Sequence, residues 1–156
     1  MVSYAKDERC MALAKVLVPI LKSSGPEGAG GYGGTFQVHV PSATAAELGG
    51  LDLIRAALRK TARELGWTFG TYGFGGGREG STTLIGIYDK REIPEPYAKV
   101  VEEHRQRQMR AAIDHVSARY SALGGSAPAP SPPLPGTPVV QTKEFLAAVA
   151  EHSLLA

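Results

Sequence analysis

Two runs of glycine and proline decide where this chain can carry regular structure. Residues 23–34, SSGPEGAGGYGG, hold six glycines and one proline, and residues 121–138, SALGGSAPAPSPPLPGTP, hold six prolines and three glycines. Glycine adds backbone freedom and proline removes a donor, so neither run favours a continuous helix or strand. The first reads as a mobile loop. The second reads as an extended spacer, partly polyproline II, at ~3.1 Å per residue. A structureless stretch of that length is uncommon inside a compact domain. The expected organisation is one α+β domain over 1–123, a linker over 124–141 and a C-terminal tail helix over 142–156.

Between and around these runs the hydrophobic periodicity is readable. Tyr4 to Lys22 has Cys10, Leu13, Leu17 and Leu21 at helical spacing, with Pro19 expected to bend or end the helix. Thr35–Val40 alternates, predicting a half-buried strand with Phe36, Val38 and Val40 inward. Thr44 and Glu47 have the spacing of a capping box for one short turn, which Gly49-Gly50 breaks. Leu51, Ile54, Leu58, Thr61 and Leu65 then repeat every three and four residues, and Gly66 stands where a helix C-cap belongs. Trp67–Phe74 and Thr82–Asp89 read as a hairpin, with Ile85 and Ile87 facing the core and Leu84 and Tyr88 facing away. After Pro94 and Pro96 a long helix is expected to about Tyr120, its apolar stripe made by Met109, Ala112, Ile113, Val116 and Tyr120.

Three antiparallel strands with helices on one face make a two-layer α+β sandwich. A fourth strand at Val139–Thr142 would turn the order into the ferredoxin-like βαββαβ, and the proline linker argues against it. The run VHVP, the short turn, the break, the helix ending in ARELG and the hairpin resemble, over residues 38–120, the βααββα element order of KH nucleic-acid-binding domains. That family grips nucleic-acid backbone with a GxxG loop between its first two helices. This chain has Leu48-Gly49-Gly50-Leu51 there, a different sequence.

Composition narrows the function classes. With 43% hydrophobic and 21% charged residues the chain is globular in character, and its net charge of +2 is far from a polybasic clamp. The single cysteine, Cys10, excludes an internal disulfide and a thiolate-rich zinc site, and among its apolar neighbours it reads as a buried, inert thiol. Met11–Leu21, the most apolar stretch, is broken by Lys15 and Pro19 and is shorter than the ~20 residues a membrane span needs. Asp7 and Glu8 occupy the place of a signal peptide's basic region, so the expected setting is cytoplasmic, with no membrane partner. His104 and His115 share a helix face but lie about 16 Å apart at ~1.5 Å rise per residue, so no metal site and no cofactor are expected.

Three sets of residues remain as candidates. Arg55, Arg59 and Arg63 on one helix and Arg105, Arg107 and Arg110 on another could merge into a basic surface for an acidic partner or nucleic acid. Their i,i+4 pairs with acids, Glu103 with Arg107 and Arg110 with Asp114, also describe an ordinary solvated face. The loop Gly75-Gly76-Gly77-Arg78-Glu79-Gly80-Ser81 has the letters of a dinucleotide fingerprint, yet strand-like residues follow it and offer no helix N-terminus. An anion loop of Gly75, Gly77, Arg78, Gly80 and Ser81 is the alternative that would make this a small enzyme or ligand-binding protein. Tyr72, Phe74 and Tyr88 should project from the sheet face away from the helices, to be covered by the N-terminal helix, a second subunit or stacked bases. Phe145 is the expected anchor by which the tail docks on its own or another chain. The leading expectation is a non-enzymatic binding or regulatory module that self-associates or docks a macromolecule.

Overall fold

The computed structural model describes Tyr4, residues 6–75 and 81–123, residues 138–152 and Leu154, with 112, 114–123 and 139 as backbone. The elements run α1 (Glu8–Lys22), β1 (Thr35–Pro41), α2 (Ser42–Glu47), α3 (Leu51–Glu64), β2 (Phe69–Phe74), β3 (Thr82–Asp89), α4 (Glu95–Leu123) and α5 (Pro138–Glu151). The three strands form one open antiparallel sheet in the order β1-β3-β2. This is the α+β sandwich that the patterning predicts.

Alternation sorts the strand residues between the two faces. Phe36, Val38 and Val40 of β1 and Ile85 and Ile87 of β3 are buried on one face. They meet Leu53, Ile54, Ala57 and Leu58 of α3, Leu13, Leu17 and Leu21 of α1, and Phe145 and Val149 of α5 in one core. α1 begins at Glu8, later than its apolar spacing suggests, because the Asp7 carboxylate accepts from the Arg9 and Cys10 amides and caps it there. It continues past Pro19 to Lys22. α3 stops where expected. The Gly66 amide bonds the Arg63 carbonyl and the Trp67 amide the Ala62 carbonyl, a closure that uses the positive φ of Gly66. The capping box at Thr44 does not form, since α2 starts earlier, at Ser42, with Pro41 before it and no side-chain cap. The first hairpin strand starts at Phe69, while Trp67 is buried with its ring against Gly34.

The glycine-rich segment 23–34 was expected to be mobile; it is laid down as turns against the body. Its glycines permit close approach: a Cβ on Gly34 would enter the Trp67 ring, and one on Gly30 would lie 2.7 Å from the Tyr97 ring. Arg91 staples the segment by bonding the Gly31 carbonyl, lying 4.4 Å over the Tyr32 ring and pairing with the buried Asp89 carboxylate at 2.8 Å.

The C-terminal helix departs most from expectation. It begins at Pro138, so Val139–Thr142 lie in its first turns and add no fourth strand. Instead its side chains close the β1 edge. Gln141 accepts from the Gln37 amide at 2.9 Å and donates to the Thr35 carbonyl at 2.6 Å, and Thr142 accepts from the His39 amide at 3.1 Å. Phe145 is buried within its own chain, edge-on to Phe36 with ring centroids 5.9 Å apart. The linker over 124–137 lies outside the described residues.

α4 is the other departure. Its start is held by Tyr97, stacked on Tyr32, and by Val101, buried against Gly33. From Glu102 to Ile113 the described side chains are exposed or half-exposed, and the expected apolar stripe is bare at Met109 (66% exposed) and Ile113 (58%). Among the described residues α4 has no interface with α3 like those that join α1 to α3 or α5 to β1.

Candidate functional site

The sheet has one covered face and one open face, and the open face gathers the most distinctive side chains. Alternation places Thr35, Gln37 and His39 of β1, Leu84, Gly86 and Tyr88 of β3, and Gly70, Tyr72 and Phe74 of β2 on it. α1 packs with α3 and α5 on the opposite side and does not cover it. Phe74 is 71% exposed and Tyr88 41%.

Two glycines give this face its shape. Tyr72 stands opposite Gly86 and Tyr88 opposite Gly70 across the β2–β3 ladder. Each ring lies over its glycine: a Cβ on Gly70 would come within 2.6 Å of Tyr88, and one on Gly86 would enter the Tyr72 ring. The two phenols therefore lean in opposite directions, with ring centroids 6.4 Å apart. The lean carries the Tyr72 hydroxyl across to β1, where it donates to Gln37 Oε1 at 2.6 Å. Gln37 Nε2 lies 2.9 Å from His39 Nε2, which extends the string from Tyr72 through Gln37 to His39. Burial, and then the neighbouring Tyr88, push the Tyr72 phenol up, keeping it a donor. The result is a platform with an aromatic half on β2 and β3 and a polar half on β1.

The arginines do not join it. Arg55 lies over the covered face of β2 and donates to Thr71 Oγ1 at 3.1 Å, while its Nε is buried without a partner. Arg63 sits 5.7 Å over the Phe69 ring. Arg59 is half-exposed on the same helix. Arg105, Arg107 and Arg110 are exposed on α4, where Arg107 Nε reaches the Glu103 carbonyl at 3.5 Å. The two helices were expected on one side of the sheet; among the described residues α4 is seated on the glycine segment, and no contact brings the arginines of α3 and α4 together.

In the alternative ligand loop, Gly77, Arg78 and Gly80 lie outside the described residues. Ser81 donates to Ser42 Oγ at 2.8 Å, and Ser42 Oγ is 2.9 Å from Thr83 Oγ1, so the Ser81 hydroxyl helps tie the hairpin to the start of α2. A recess of about 250 Å³ between α1, Leu48 and Leu154 is smaller than the usual ligand pocket. Among the described residues no three of His, Cys, Asp and Glu come together as metal ligands, and no helix is long and apolar enough to cross a membrane. Comparison with protein-family models, with curated proteins and with solved structures returns no match to this chain.

Cys10 is buried in the α1 core face, and its thiol is pushed up by that burial and by Asp7, against weaker opposite pulls from Lys60 and Arg59. A raised pKa keeps the less reactive thiol form to higher pH. Iodoacetamide at mildly alkaline pH is therefore expected to label the native protein far more slowly than the denatured chain. Rapid stoichiometric labelling of the native state, followed by mass spectrometry, would contradict a buried thiol.

The platform was partly legible in the sequence, since Tyr72, Phe74 and Tyr88 follow from strand alternation. Gln37 and His39 were placed outward but given no role. The signal that could have found them is the paired glycines: an aromatic facing a glycine can lie down and reach the next strand.

Proposed function

We propose that this chain is a non-enzymatic docking module that engages another protein through the open face of its sheet. One observation carries the reading: among the described residues, the strand positions of the open face that bears Tyr72, Phe74 and Tyr88 hold no Lys, Arg, Asp or Glu, while Arg55 and Arg63 lie on the covered side and Arg105, Arg107 and Arg110 on α4. A nucleic-acid strand stacked on these rings would find no lysine or arginine among the described strand residues of the face for its phosphates. A protein surface with apolar groups and a few hydrogen-bonding groups suits it better, because aromatic anchors beside fixed polar partners are typical of protein contacts. The Tyr72–Gln37–His39 string holds its groups in place before a partner arrives, which lowers the ordering cost of binding.

The test couples capture to measurement. A photoreactive phenylalanine analogue at position 74 would capture the partner in native cells, and the purified partner would then be titrated against wild type and against Phe74→Ser with Tyr88→Ser. Each anchor is expected to be worth ~2 kcal/mol, so each loss should weaken binding about 30-fold at an unchanged melting temperature. A partner that binds the double variant as tightly as wild type excludes the face as its site. Salt-sensitive binding of a single-stranded oligonucleotide, abolished by the double variant, would replace the protein partner with nucleic acid.

A further inference from the structure

The two edges of the sheet are finished differently. At β1 the outward main-chain groups of Thr35, Gln37 and His39 are taken up by Gln141 and Thr142. At β2 the outward groups can be identified by parity. The Asp89 amide bonds the Gly34 carbonyl and the Lys90 amide bonds the Thr68 carbonyl, so even-numbered residues of β3 face β2. Gly70, Tyr72 and Phe74 therefore bond β3, and Phe69, Thr71 and Gly73 turn their N–H and C=O groups outward. No backbone or side-chain hydrogen bond from the described residues reaches those outward groups. The strand, FGTYGF, also lacks the proline, lysine and other charges that usually blunt a free edge.

We infer that two copies of this chain pair through β2, antiparallel about a two-fold axis at Thr71, to make one six-stranded sheet. The spacing of FGTYGF is self-complementary in that register. Thr71 meets Thr71, Gly70 meets Tyr72, Phe69 meets Gly73, and the exposed Phe74 meets Thr68 of the second copy. Phe69 and Tyr72 then each face a glycine, the arrangement that the β2–β3 ladder already uses twice. The closed β1 edge identifies the occupant. A growing sheet needs two open edges, and with β2 the one open edge among the described residues an isologous pair ends the assembly at two. The pairing would set the two open faces side by side and leave the platform residues in place, so it goes beyond the docking reading without depending on it.

Sedimentation equilibrium of the full chain tests the pairing. Wild type is expected at the mass of two 16.4 kDa chains, and Thr71→Pro at one, with an unchanged far-ultraviolet spectrum. Proline is tolerated at this position because the Thr71 amide bonds no group among the described residues of its own chain. A wild type of single mass at the highest soluble concentration overturns the inference, as does a dimer that Thr71→Pro leaves intact, or a mass that grows beyond two. If Thr71→Pro does not fold, Thr71→Cys decides. Paired residues at a narrow antiparallel position lie about 5.5 Å apart at Cα, within disulfide range. Mild oxidation should yield a covalent dimer from Thr71→Cys and none from wild type or from Thr35→Cys on the closed edge. Failure of Thr71→Cys to cross-link overturns the pairing, whereas the serine variants on the face test the docking reading separately.

Discussion

Replacing Phe145 by alanine is expected to destabilise the protein by about 3–5 kcal/mol, the usual cost of emptying a buried phenylalanine site. Phe145 has no exposed surface, its ring meets Phe36 edge-on, and α5 packs on both β1 and α1. At roughly 2–4 °C per kcal/mol for a chain of this size, the melting temperature should fall by about 10 °C. Urea unfolding followed by circular dichroism measures the same loss as a lower midpoint. Truncation after residue 137 should do more damage. It removes Phe145 and Val149 from the core and leaves the Thr35 carbonyl and the Gln37 and His39 amides without their partners. The truncated chain would have two open edges and should self-associate without limit. A Phe145→Ala variant that melts with wild type would mean that α5 is a solvated appendage.

The second large effect is expected at Arg91. Its guanidinium pairs with an Asp89 carboxylate that is almost fully buried, bonds the Gly31 carbonyl and covers the Tyr32 ring. The hydrogen bond to Asp89 is the chief reason its pKa rises, so it is charged throughout the accessible range. Arg91→Ala would leave the carboxylate buried with the residue-91 amide as its one partner among the described residues. Breaking a buried pair costs about 3–5 kcal/mol; as Arg91 is partly exposed, roughly 2–4 kcal/mol is expected here. The Tyr32–Tyr97 stack that seats α4 should loosen as well. Joint replacement, Asp89→Asn with Arg91→Met, should recover part of the loss, because it removes the orphaned charge. Equal stability of wild type and Arg91→Ala in chemical denaturation would show that the staple contributes nothing.

Much of the fold was legible because its signals are local. The Leu51–Leu65 repeat, the alternation of Phe36, Val38 and Val40, and Gly66 as a C-cap each depend on residues a few positions apart. The aromatic platform was legible for the same reason, up to the point where Tyr72 reaches Gln37 on another strand. The arginine pattern is not local in this sense. Periodicity put basic residues on two helices, but only packing could say whether the helices lie together, and α4 is seated by Tyr97 and Val101 instead.

The sequence by itself determined which face of each element is apolar, where α3 ends, and that three strands alternate inward and outward. Those properties follow from side-chain order along a helix or strand and need no partner to be defined. Only the tertiary structure decided what the C-terminal segment does. Gln141 and Gln37 are 104 positions apart, and nothing in the composition of either segment announces that an amide side chain will cap a strand edge. The same contact creates the difference between the two edges on which the inferred pairing rests. Edge hydrogen bonds are made by the backbone, which is alike at every residue, so their satisfaction at β1 and their exposure at β2 are set by the path of the chain and not by its letters.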